Sequence, residues 1–297
     1  MSLQPRAVVV HRRCEYDELL ARHGTRQQAA FFLETRGRSL DDVVAQRDAL
    51  DSAVQVTTSA IPADWRRAEV ERADLARFVF GPEDVIVVIG QDGLVANVAK
   101  YLDGQPVVGI NPEPDRNPGI LVPHRPQAAA ALLQVCTHEP RVQERTMVEA
   151  VTDDGQTLSA LNEVYIGHAS HQSSRYQLEA PDGRRERQSS SGVLVGTGTG
   201  ATGWLRSAWQ ERRSALMLPE PTDPTLCWFV REAWPSPATG TDLTEGSITQ
   251  GETLTLLAET DQLVCFGDGI EADAISLTWG QRLTIHKASR RLRLVQA

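Results

Sequence analysis

The sequence predicts two domains, an α/β domain followed by a mostly antiparallel β domain. Three observations predict this division: an apolar run at 85–89 (VIVVI), a loop and helical pattern directly after it, and a change to many short strands beyond about residue 140. An uninterrupted run of β-branched residues is typical of a parallel strand that is covered on both faces. Strands that alternate with helices indicate α/β structure, whereas successive strands separated by turns indicate antiparallel sheets.

The first domain is predicted to span residues 1–137. Apolar residues at helical spacing follow its first strand, and glycines interrupt that pattern twice. The predicted elements are, in order, a strand at 7–10, two or three helices between 14 and about 50 with breaks at Gly24 and Gly37, a helix at 68–78, a strand at 85–89, a helix at 94–102 and a strand at 107–110. The last three elements form a β-loop-α-β unit.

The second domain is predicted to span residues 138–297. Short apolar runs follow one another there, several of them separated by Asp-Gly turns. Strands are predicted at 141–151, 163–166, 176–179, 193–195, 226–230, 254–257, 263–266, 283–286 and 292–295. One helix, at about 203–213, interrupts them.

The composition is that of an ordinary globular protein. The 297 residues are 41% hydrophobic and 23% charged, with a formal net charge of −9. These values exclude disorder, collagen and coiled coil as descriptions of the whole chain. The acidic balance argues against a general nucleic-acid or anionic-membrane binder, because such proteins carry basic surfaces. It leaves room for a local phosphate site.

The cysteines and the apolar runs predict a soluble cytoplasmic protein. Cys14, Cys136, Cys227 and Cys265 are scattered, none at metal-ligand spacing from another, as expected of reduced cysteines in a reducing compartment. No apolar run approaches the roughly 18 residues that a membrane span needs, and no signal-peptide pattern opens the chain.

The segment Gly90-Gln91-Asp92-Gly93 follows the strand at 85–89, where open α/β sheets bind ligands. Glycines allow the backbone to approach a phosphate closely, and the next helix directs free N–H groups at an anion. Asp92 would then bind a metal ion or accept a hydroxyl proton beside the phosphates. Taken alone, an Asp-Gly pair after a strand is more typical of a turn in which Asp caps the helix.

A second loop, residues 196–203 (GTGTGATG), precedes the predicted helix at 203–213. Gly198, Gly200 and Gly203 match the GxGxxG pattern, but no βαβ unit surrounds them and no strand ending in an acidic residue follows, which argues against a dinucleotide-binding turn of the Rossmann type. Alternating glycine and threonine predict instead a loop whose N–H and hydroxyl groups line a polar ligand.

Other polar segments carry no chemistry on their own. Asn162 and Glu163 lie at the start of an apolar strand, as residues at a strand edge commonly do, and the seven histidines form no ligand cluster. The basic run at 184–187 (RRER) is typical of a charged hairpin, and contact with phosphates is the alternative.

In their order and spacing, three of these segments resemble the motifs of the NAD kinase family. Its members have a GGDG loop in an α/β domain, then an Asn-Glu pair, then a TPTGSTAY-like loop in a β-rich domain. Here GQDG at 90–93, LNE at 161–163 and TGTGATGW at 197–204 take those places. The region resembles most the divergent, mitochondrial-type branch, in which SSG and TGTG replace the usual DG and TPTG. The segment at 266–271 (FGDGIE) also fits that branch.

The resemblance implies a Rossmann-like first domain with a GGDG-type loop and a β-rich dinucleotide-binding second domain. It implies ATP-dependent phosphorylation of the adenosine ribose 2′-hydroxyl of NAD, or of NADH, to give NADP(H). Magnesium or another divalent metal is the implied cofactor, with NAD(H) and ATP as small-molecule partners. A homodimer or homotetramer is expected, with neither nucleic acid nor membrane as a partner.

The same resemblance gives roles to individual residues. Asp92 would be the general base or would orient the hydroxyl, while Gly90 and Gly93 admit the phosphates. Asn162 and Glu163 would hold the adenine and ribose. The other residues expected to bind the dinucleotide are Thr197, Gly198, Thr199, Gly200, Thr202, Gly203, Trp204 and Ser207.

The sequence departs from the family pattern at four positions in or near these motifs. Gln91 replaces the second glycine of the phosphate loop, and Leu94 replaces a small hydroxyl residue after it. Ser191 stands where most members have an aspartate that contacts the dinucleotide, and Trp204 stands for a tyrosine. Two alternative functions stay open: a kinase of a lipid or sugar hydroxyl on the same scaffold, and a non-catalytic NAD(P)-binding sensor.

Overall fold

The computed structural model describes residues 4–138 and 140–296. By their internal contacts the residues form two units: unit 1 runs to Gln143 and includes the end of the chain from Arg293, and unit 2 is Glu144–Leu292. The predicted domain limits, 1–137 and 138–297, stay a prediction, and their outermost residues lie outside the described ones. The two units differ from the predicted limits mainly at the end of the chain, because the last strand continues into unit 1 from Arg293.

The helices and strands are named here in chain order. The helices are α1 (Glu15–His23), α2 (Arg26–Glu34), α3 (Leu40–Ser59), α4 (Asp92–Ala99), α5 (Ala129–Val135) and α6 (Trp204–Arg212). The strands of unit 1 are β1 (Arg6–His11), β2 (Arg66–Glu71), β3 (Asp84–Ile89) and β4 (Pro106–Ile110). The later strands are β5 (Val142–Thr152), β6 (Thr157–Ala160), β7 (Glu163–His168), β8 (Ser174–Glu179), β9 (Arg185–Ser190), β10 (Gly192–Gly196), β11 (Leu226–Arg231), β12 (Glu245–Ile248), β13 (Leu254–Ala258), β14 (Leu263–Gly267), β15 (Ile270–Leu277) and β16 (Arg282–Val295).

Unit 1 contains a parallel sheet in the order β2-β1-β3-β4, and the end of β16 pairs parallel to β4. Every residue of β3 is buried, as its apolar run predicts. Helices α3 and α5 contribute Ala53 and Leu133 to the apolar cluster that covers the sheet. The predicted β-loop-α-β unit is confirmed, although α4 begins two residues earlier than expected.

The helical pattern at 14–50 forms three helices, with breaks at the predicted glycines. Gly24 ends α1 at a φ of +76°, which favours glycine, and its N–H donates to the Leu20 carbonyl at 2.8 Å. The hydroxyls of Thr25 and Ser39 then accept backbone N–H groups at the starts of α2 and α3. The third helix continues beyond the predicted limit, to Ser59.

The helix predicted at 68–78 is wrong. Residues Arg66–Glu71 form the edge strand β2, and a turn of 3-10 helix follows at Arg72–Arg77. Val70 is the buried residue of β2 and pairs with Val10 of β1, so that sheet pairing overrides the helical spacing. The other positions of β2 are largely charged and exposed, which is typical of an edge strand.

Unit 2 consists of antiparallel sheets that share one apolar core. One sheet has the order β12-β11-β10-β7-β14-β15, and in the other β16-β13-β8-β9 are neighbours, with β5 pairing with β6 and β16. Both sheets contribute to the same buried cluster, for example Trp228 from the first and Tyr176 from the second. The predicted antiparallel β domain is confirmed.

Several elements of the structure were not predicted. Strands β6, β9, β12 and β15 are short or rich in polar residues, and neighbouring strands supply their hydrogen bonds. The strands expected at 283–286 and 292–295 are one continuous strand, β16. Helix α5 is also absent from the predicted elements, although its alanine-rich sequence has the high helix propensity that could have indicated it. In the described part of the chain, no helix is both long and apolar enough to cross a membrane.

We expect Gly109→Ala to destabilise unit 1. A Cβ at Gly109 in β4 would lie 2.0 Å from the Leu121 carbonyl oxygen, a backbone atom that no rotamer change can remove. The free energy of unfolding should fall by about 3 kcal/mol, the upper range for overpacking, in urea titrations followed by circular dichroism. Gly81→Ala is the control, because its Cβ would meet no atom closer than 3.5 Å. Equal stabilities of the two variants would contradict the prediction.

Candidate functional site

The GQDG loop of unit 1 lies at the carboxyl end of β3, as predicted. Gly90 donates its N–H to the Ile110 carbonyl at the end of the neighbouring strand β4, at 3.0 Å. Gln91 precedes α4, and its side chain caps no N–H group. Asp92 is therefore the first residue of the helix, where a negative charge is favourable.

The carboxylate of Asp92 binds backbone N–H groups of a neighbouring segment. It accepts hydrogen bonds from Ile120 at 3.0 Å, Leu121 at 2.7 Å and Val122 at 3.1 Å. An ionised carboxylate offers about four acceptor positions, so that one is left. Asp92 therefore does not cap its own helix, which was the simpler interpretation of the sequence. Its carboxylate binds the backbone of residues 120–122 instead.

A cavity of about 270 Å³ adjoins this loop. Its lining residues are Gln91, Asp92, Gly93, Asn111, Asn117, Pro118, Gly119 and Val122. Buried Asn111 shapes it, since its amide nitrogen donates to the Asn117 carbonyl at 2.6 Å and its oxygen accepts the Glu113 N–H at 3.0 Å. Sequence reasoning missed the lining residues beyond the GQDG loop, although segments that follow neighbouring parallel strands meet at one edge of a sheet. These residues are Asn111, Asn117, Pro118, Gly119 and Val122.

The two glycines of this loop differ in their surroundings. A Cβ at Gly90 would lie 3.3 Å from Leu94, the residue that departs from the family pattern. At Gly93 no described atom lies within 4 Å of such a Cβ. Packing of the described residues therefore does not explain a glycine at position 93.

In unit 2 the structure brings Asn162 and Glu163 together with the glycine–threonine loop. The hydroxyl of Thr197 donates to the Leu161 carbonyl at 2.6 Å, and its N–H donates to the Asn162 carbonyl at 2.9 Å. The same hydroxyl accepts the N–H groups of Thr199 and Gly200. The start of β7 and the end of β10 thus form one polar cluster.

Close backbone approach explains two of the glycines in this loop. A Cβ at Gly198 would lie 2.0 Å from the Glu220 carbonyl oxygen, and one at Gly200 would lie 2.3 Å from that of Asn162. Because β10 and β11 are antiparallel, these residues are not part of a βαβ unit, which confirms that the GxGxxG match is not a Rossmann turn. The hydroxyl of Thr199 is buried and has no hydrogen-bond partner within the described residues.

Asp268 was not predicted as a site residue, yet it holds the start of β7. Its carboxylate accepts the N–H groups of Leu161 at 2.8 Å and Asn162 at 2.7 Å, and its φ is +53°. Burial, together with the negative charge of Asp268, raises the pKa of Glu163 to about 7. Glu163 thus exchanges its proton close to neutral pH.

Trp204 lies at the start of α6 in an aromatic wall. The wall consists of Trp204 and Tyr165, whose rings stack with their centres 5.3 Å apart. The Arg231 guanidinium lies 5.3 Å from the centre of the Trp204 ring, in a cation–π contact. A cavity of about 250 Å³ adjoins the wall and is lined by Trp204, Ser207, Ala208, Glu211, Arg212, Phe229, Val230, Arg231 and Glu232. Thr202 and Gly203 are exposed just before the helix, and the Thr202 hydroxyl donates to the Thr199 carbonyl at 3.0 Å.

Cysteine and metal chemistry is not apparent in the described residues. The four cysteines are free thiols, and burial raises the pKa of Cys136 and of Cys227 to about 11, which disfavours the reactive thiolate. Within residues 4–138 and 140–296 there is no group of three or more His, Cys, Asp or Glu side chains arranged to hold a metal ion.

Curated proteins similar to this chain are named NAD kinases, whereas no family model matches it. The NAD kinase of Chlorobaculum tepidum is 27% identical over 141 residues, which are 46% of this chain and 47% of that protein. The NAD kinase of Methylococcus capsulatus is 37% identical over 134 residues, 42% of this chain and 45% of that protein. Human mitochondrial NAD kinase 2 is 29% identical over 167 residues, 41% of this chain and 38% of that protein. The chain thus spans less than half the length of the curated relatives it matches.

Solved structures define the class of fold over nearly the whole chain. An NAD kinase from Archaeoglobus fulgidus in complex with ATP superposes with a TM-score of 0.58 at 15% identity, covering 98% of this chain and 93% of that one. Yeast NADH kinase complexed with NADH gives 0.60 at 14% identity, covering 100% and 84%. The fold is that of the NAD kinases. The predicted resemblance to that family, including its mitochondrial type, is confirmed.

We expect Glu163→Gln to stabilise the protein increasingly as the pH rises. The folded-state pKa of Glu163, about 7, exceeds the ordinary 4.5, so the unfolded chain loses this proton at lower pH than the folded protein does. The free energy of unfolding therefore falls progressively as the pH rises from 4.5 to 7. Glutamine removes that penalty, so its gain should be near zero at pH 4.5 and reach at most roughly 3 kcal/mol above pH 7. Urea unfolding at pH 5 and pH 8 measures it. The exposed Glu271→Gln is the control, and a pH-independent difference for Glu163→Gln would contradict the prediction.

Proposed function

We propose that this protein is an NAD kinase, which transfers the γ-phosphoryl group of ATP to the adenosine ribose 2′-hydroxyl of NAD or NADH. The similarity to proteins named NAD kinase, within a chain that has the NAD kinase fold, carries this proposal. The other two hypotheses, a lipid or sugar kinase and a non-catalytic sensor, find no relative among these matches.

In unit 1, we propose that the GQDG loop and its cavity bind phosphates. Apart from that of Leu94, which donates to the Gln91 carbonyl at 2.9 Å, the N–H groups at the start of α4 would be available to an anion, and Gly90 and Gly93 would let it approach. Asp92 uses three acceptor positions on the backbone of residues 120–122, which fixes the orientation of the carboxylate. The remaining position would accept the ribose hydroxyl proton, so that the residue acts as general base or orients the hydroxyl.

In unit 2, we propose that the polar cluster binds the nucleoside parts of the dinucleotide. Asn162 and Glu163 would hold adenine and ribose, and a carboxyl with a pKa near 7 both accepts and donates hydrogen bonds at neutral pH. Around them, backbone and side-chain groups of the loop and of α6 would line the pocket: Thr197, Gly198, Thr199, Gly200, Thr202, Gly203, Trp204 and Ser207.

Magnesium fits this site as an ion carried by the nucleotide. Mg²⁺ in kinase sites is usually held by one or two carboxylates together with substrate phosphates, not by a closed protein cage. The described residues offer no such cage, so the phosphates of the nucleotide would supply most of the ion's ligands. When bound, the ion neutralises charge on the transferring phosphoryl group.

We further propose a cytoplasmic enzyme that forms homodimers or homotetramers. Four free cysteines agree with a reducing compartment. Met217, Trp234 and Trp279 expose large apolar surface in unit 2, and a subunit interface would cover such surface. Sedimentation analysis measures the oligomeric state.

Purified protein with ATP, Mg²⁺ and NAD should form NADP, and Asp92→Asn should lower kcat by about 10²- to 10⁴-fold, the usual size of general-base catalysis. Crossing ATP and polyphosphate with NAD and NADH in the same assay identifies donor and acceptor. Urea unfolding of Asp92→Asn separates lost chemistry from lost folding, since the variant also weakens the hold on residues 120–122.

Three outcomes of this assay would contradict the proposal or part of it. Normal turnover by Asp92→Asn would exclude its assigned role. ATP consumption with a lipid or sugar acceptor but not with NAD or NADH would favour the first alternative. Tight NADP binding without any phosphoryl transfer would favour the sensor.

Gly93→Ala should fold normally but lose activity. Its Cβ meets no described atom within 4 Å, and alanine is a better helix former than glycine by about 1 kcal/mol. If phosphates approach the backbone here, the added methyl group should raise the KM for ATP about 10-fold or more. Gly81→Ala is the matched glycine outside the cavity and should keep wild-type kinetics. An unchanged KM for Gly93→Ala would contradict phosphate binding at this glycine.

A further inference from the structure

Glu232 places a carboxylate at the cavity beside Trp204 by means of an unfavourable backbone conformation. It directly follows β11 and has a φ of +49°, in the left-handed region that non-glycine residues rarely adopt. Such a conformation costs free energy and persists where the surroundings impose it, commonly at binding sites. The conformation of Glu232 therefore indicates that its side chain has a role at this cavity.

The carboxylate of Glu232 is fixed by Ser191. The Ser191 hydroxyl donates to Oε2 of Glu232, and the Ser191 N–H donates to the Arg231 carbonyl at 2.9 Å. Among the described residues no hydrogen bond reaches Oε1 of Glu232. One oxygen thus orients the group, and the other is available to a ligand.

The same serine connects this carboxylate to the aromatic wall. The Tyr165 hydroxyl donates to the Ser191 carbonyl, and the Tyr165 ring stacks on Trp204. Glu232 and Trp204 therefore belong to one hydrogen-bonded and stacked assembly on the cavity, with Ser191 and Tyr165 between them.

The chemistry of this cavity fits one nucleoside. Trp204 lines the cavity, where Tyr165 and Arg231 already contact its ring, and aromatic side chains pack favourably against bases. A carboxylate accepts hydrogen bonds from ribose hydroxyls or from an amino or amide group. With about 250 Å³ the cavity is smaller than the roughly 300–1,000 Å³ of a pocket that encloses a whole ligand, so one part of a dinucleotide fits it.

We propose that Glu232 is a substrate-binding residue, whose carboxylate accepts a hydrogen bond from a hydroxyl or amine of the nucleoside that lies against Trp204. Ser191 is its positioning residue. The inference rests on the proposed function, because NAD supplies that nucleoside. It adds to that function a binding residue that follows β11, outside the GQDG, Asn-Glu and glycine–threonine motifs.

Two variants of Glu232 separate binding from folding. Glu232→Gln keeps the shape and removes the charge, whereas Glu232→Gly also relieves the left-handed backbone. Both should raise the Kd for NAD in calorimetry, and the KM for NAD, about 10-fold or more, as expected from loss of a charge-assisted hydrogen bond. Glu232→Gly should at the same time be at least as stable as the wild type in urea, and kcat at saturating NAD should change less than about twofold in both variants.

Gln262→Gly is the matched control. Gln262 has a φ of +69° in the exposed turn between β13 and β14 and does not line the cavity. Its replacement relieves the same kind of backbone conformation and should leave the Kd and KM for NAD unchanged.

The outcomes distinguish this inference from the proposed function. If the wild type phosphorylates NAD and both Glu232 variants bind it with the wild-type Kd, the role of Glu232 is overturned while the kinase assignment stands. If the wild type binds NAD without phosphorylating it and the variants bind more weakly, Glu232 is supported and the kinase assignment fails. Absence of NAD binding by the wild type would overturn both.

Discussion

Each unit contains one aspartate that binds backbone N–H groups and shapes the candidate site residues of that unit. Asp92 in unit 1 accepts from residues 120–122, and Asp268 in unit 2 accepts from the start of β7. Irregular segments have no ladder partners, and buried backbone donors that stay unpaired cost free energy. A carboxylate that accepts two or three of them satisfies these donors with charge-assisted hydrogen bonds, which are stronger than neutral ones. The cavity beside Gly93 and the position of Glu163 depend on these two interactions.

The glycines that stand out in the sequence serve different physical purposes. Gly198 and Gly200 allow two stretches of backbone to approach within a distance that excludes a Cβ. Gly24 supplies a left-handed helix end. Gly93 meets neither condition, since its surroundings leave a Cβ in open space. A glycine-rich pattern thus combines folding constraints with ligand constraints, and the coordinates of neighbouring backbone atoms separate them.

Local patterns predicted much of the fold and less of the site. The apolar run of β3 predicted a buried parallel strand, and Gly24 and Gly37 predicted the helix breaks, because these signals lie within the segments themselves. The prediction of a helix at the edge strand β2 is wrong, because the strand conformation of these residues depends on pairing with β1. Asp268 was missed for the same reason: it binds the N–H of Asn162, 106 positions earlier in the chain. The polar segment after β4 and the carboxylate of Glu232 likewise acquire their meaning only from neighbours that are distant in sequence.

Under the proposed function, an acidic protein would bind ATP and a dinucleotide, and the two units offer different chemical groups for their phosphates and their nucleosides. Around the GQDG loop the groups available to an anion are backbone N–H donors at the start of α4, which attract phosphates without a basic side chain. Around β7 and β11 the proposed binding groups are the carboxyls of Glu163 and Glu232, which suit hydroxyl and amine donors of sugars and bases. Burial, together with the neighbouring charge of Asp268, raises the pKa of Glu163 to about 7, so at neutral pH this carboxyl would repel a nearby phosphate less than a full anion would. A net charge of −9 is therefore compatible with the proposed anionic ligands, because backbone N–H groups would bind the phosphates and carboxyls would bind the nucleosides.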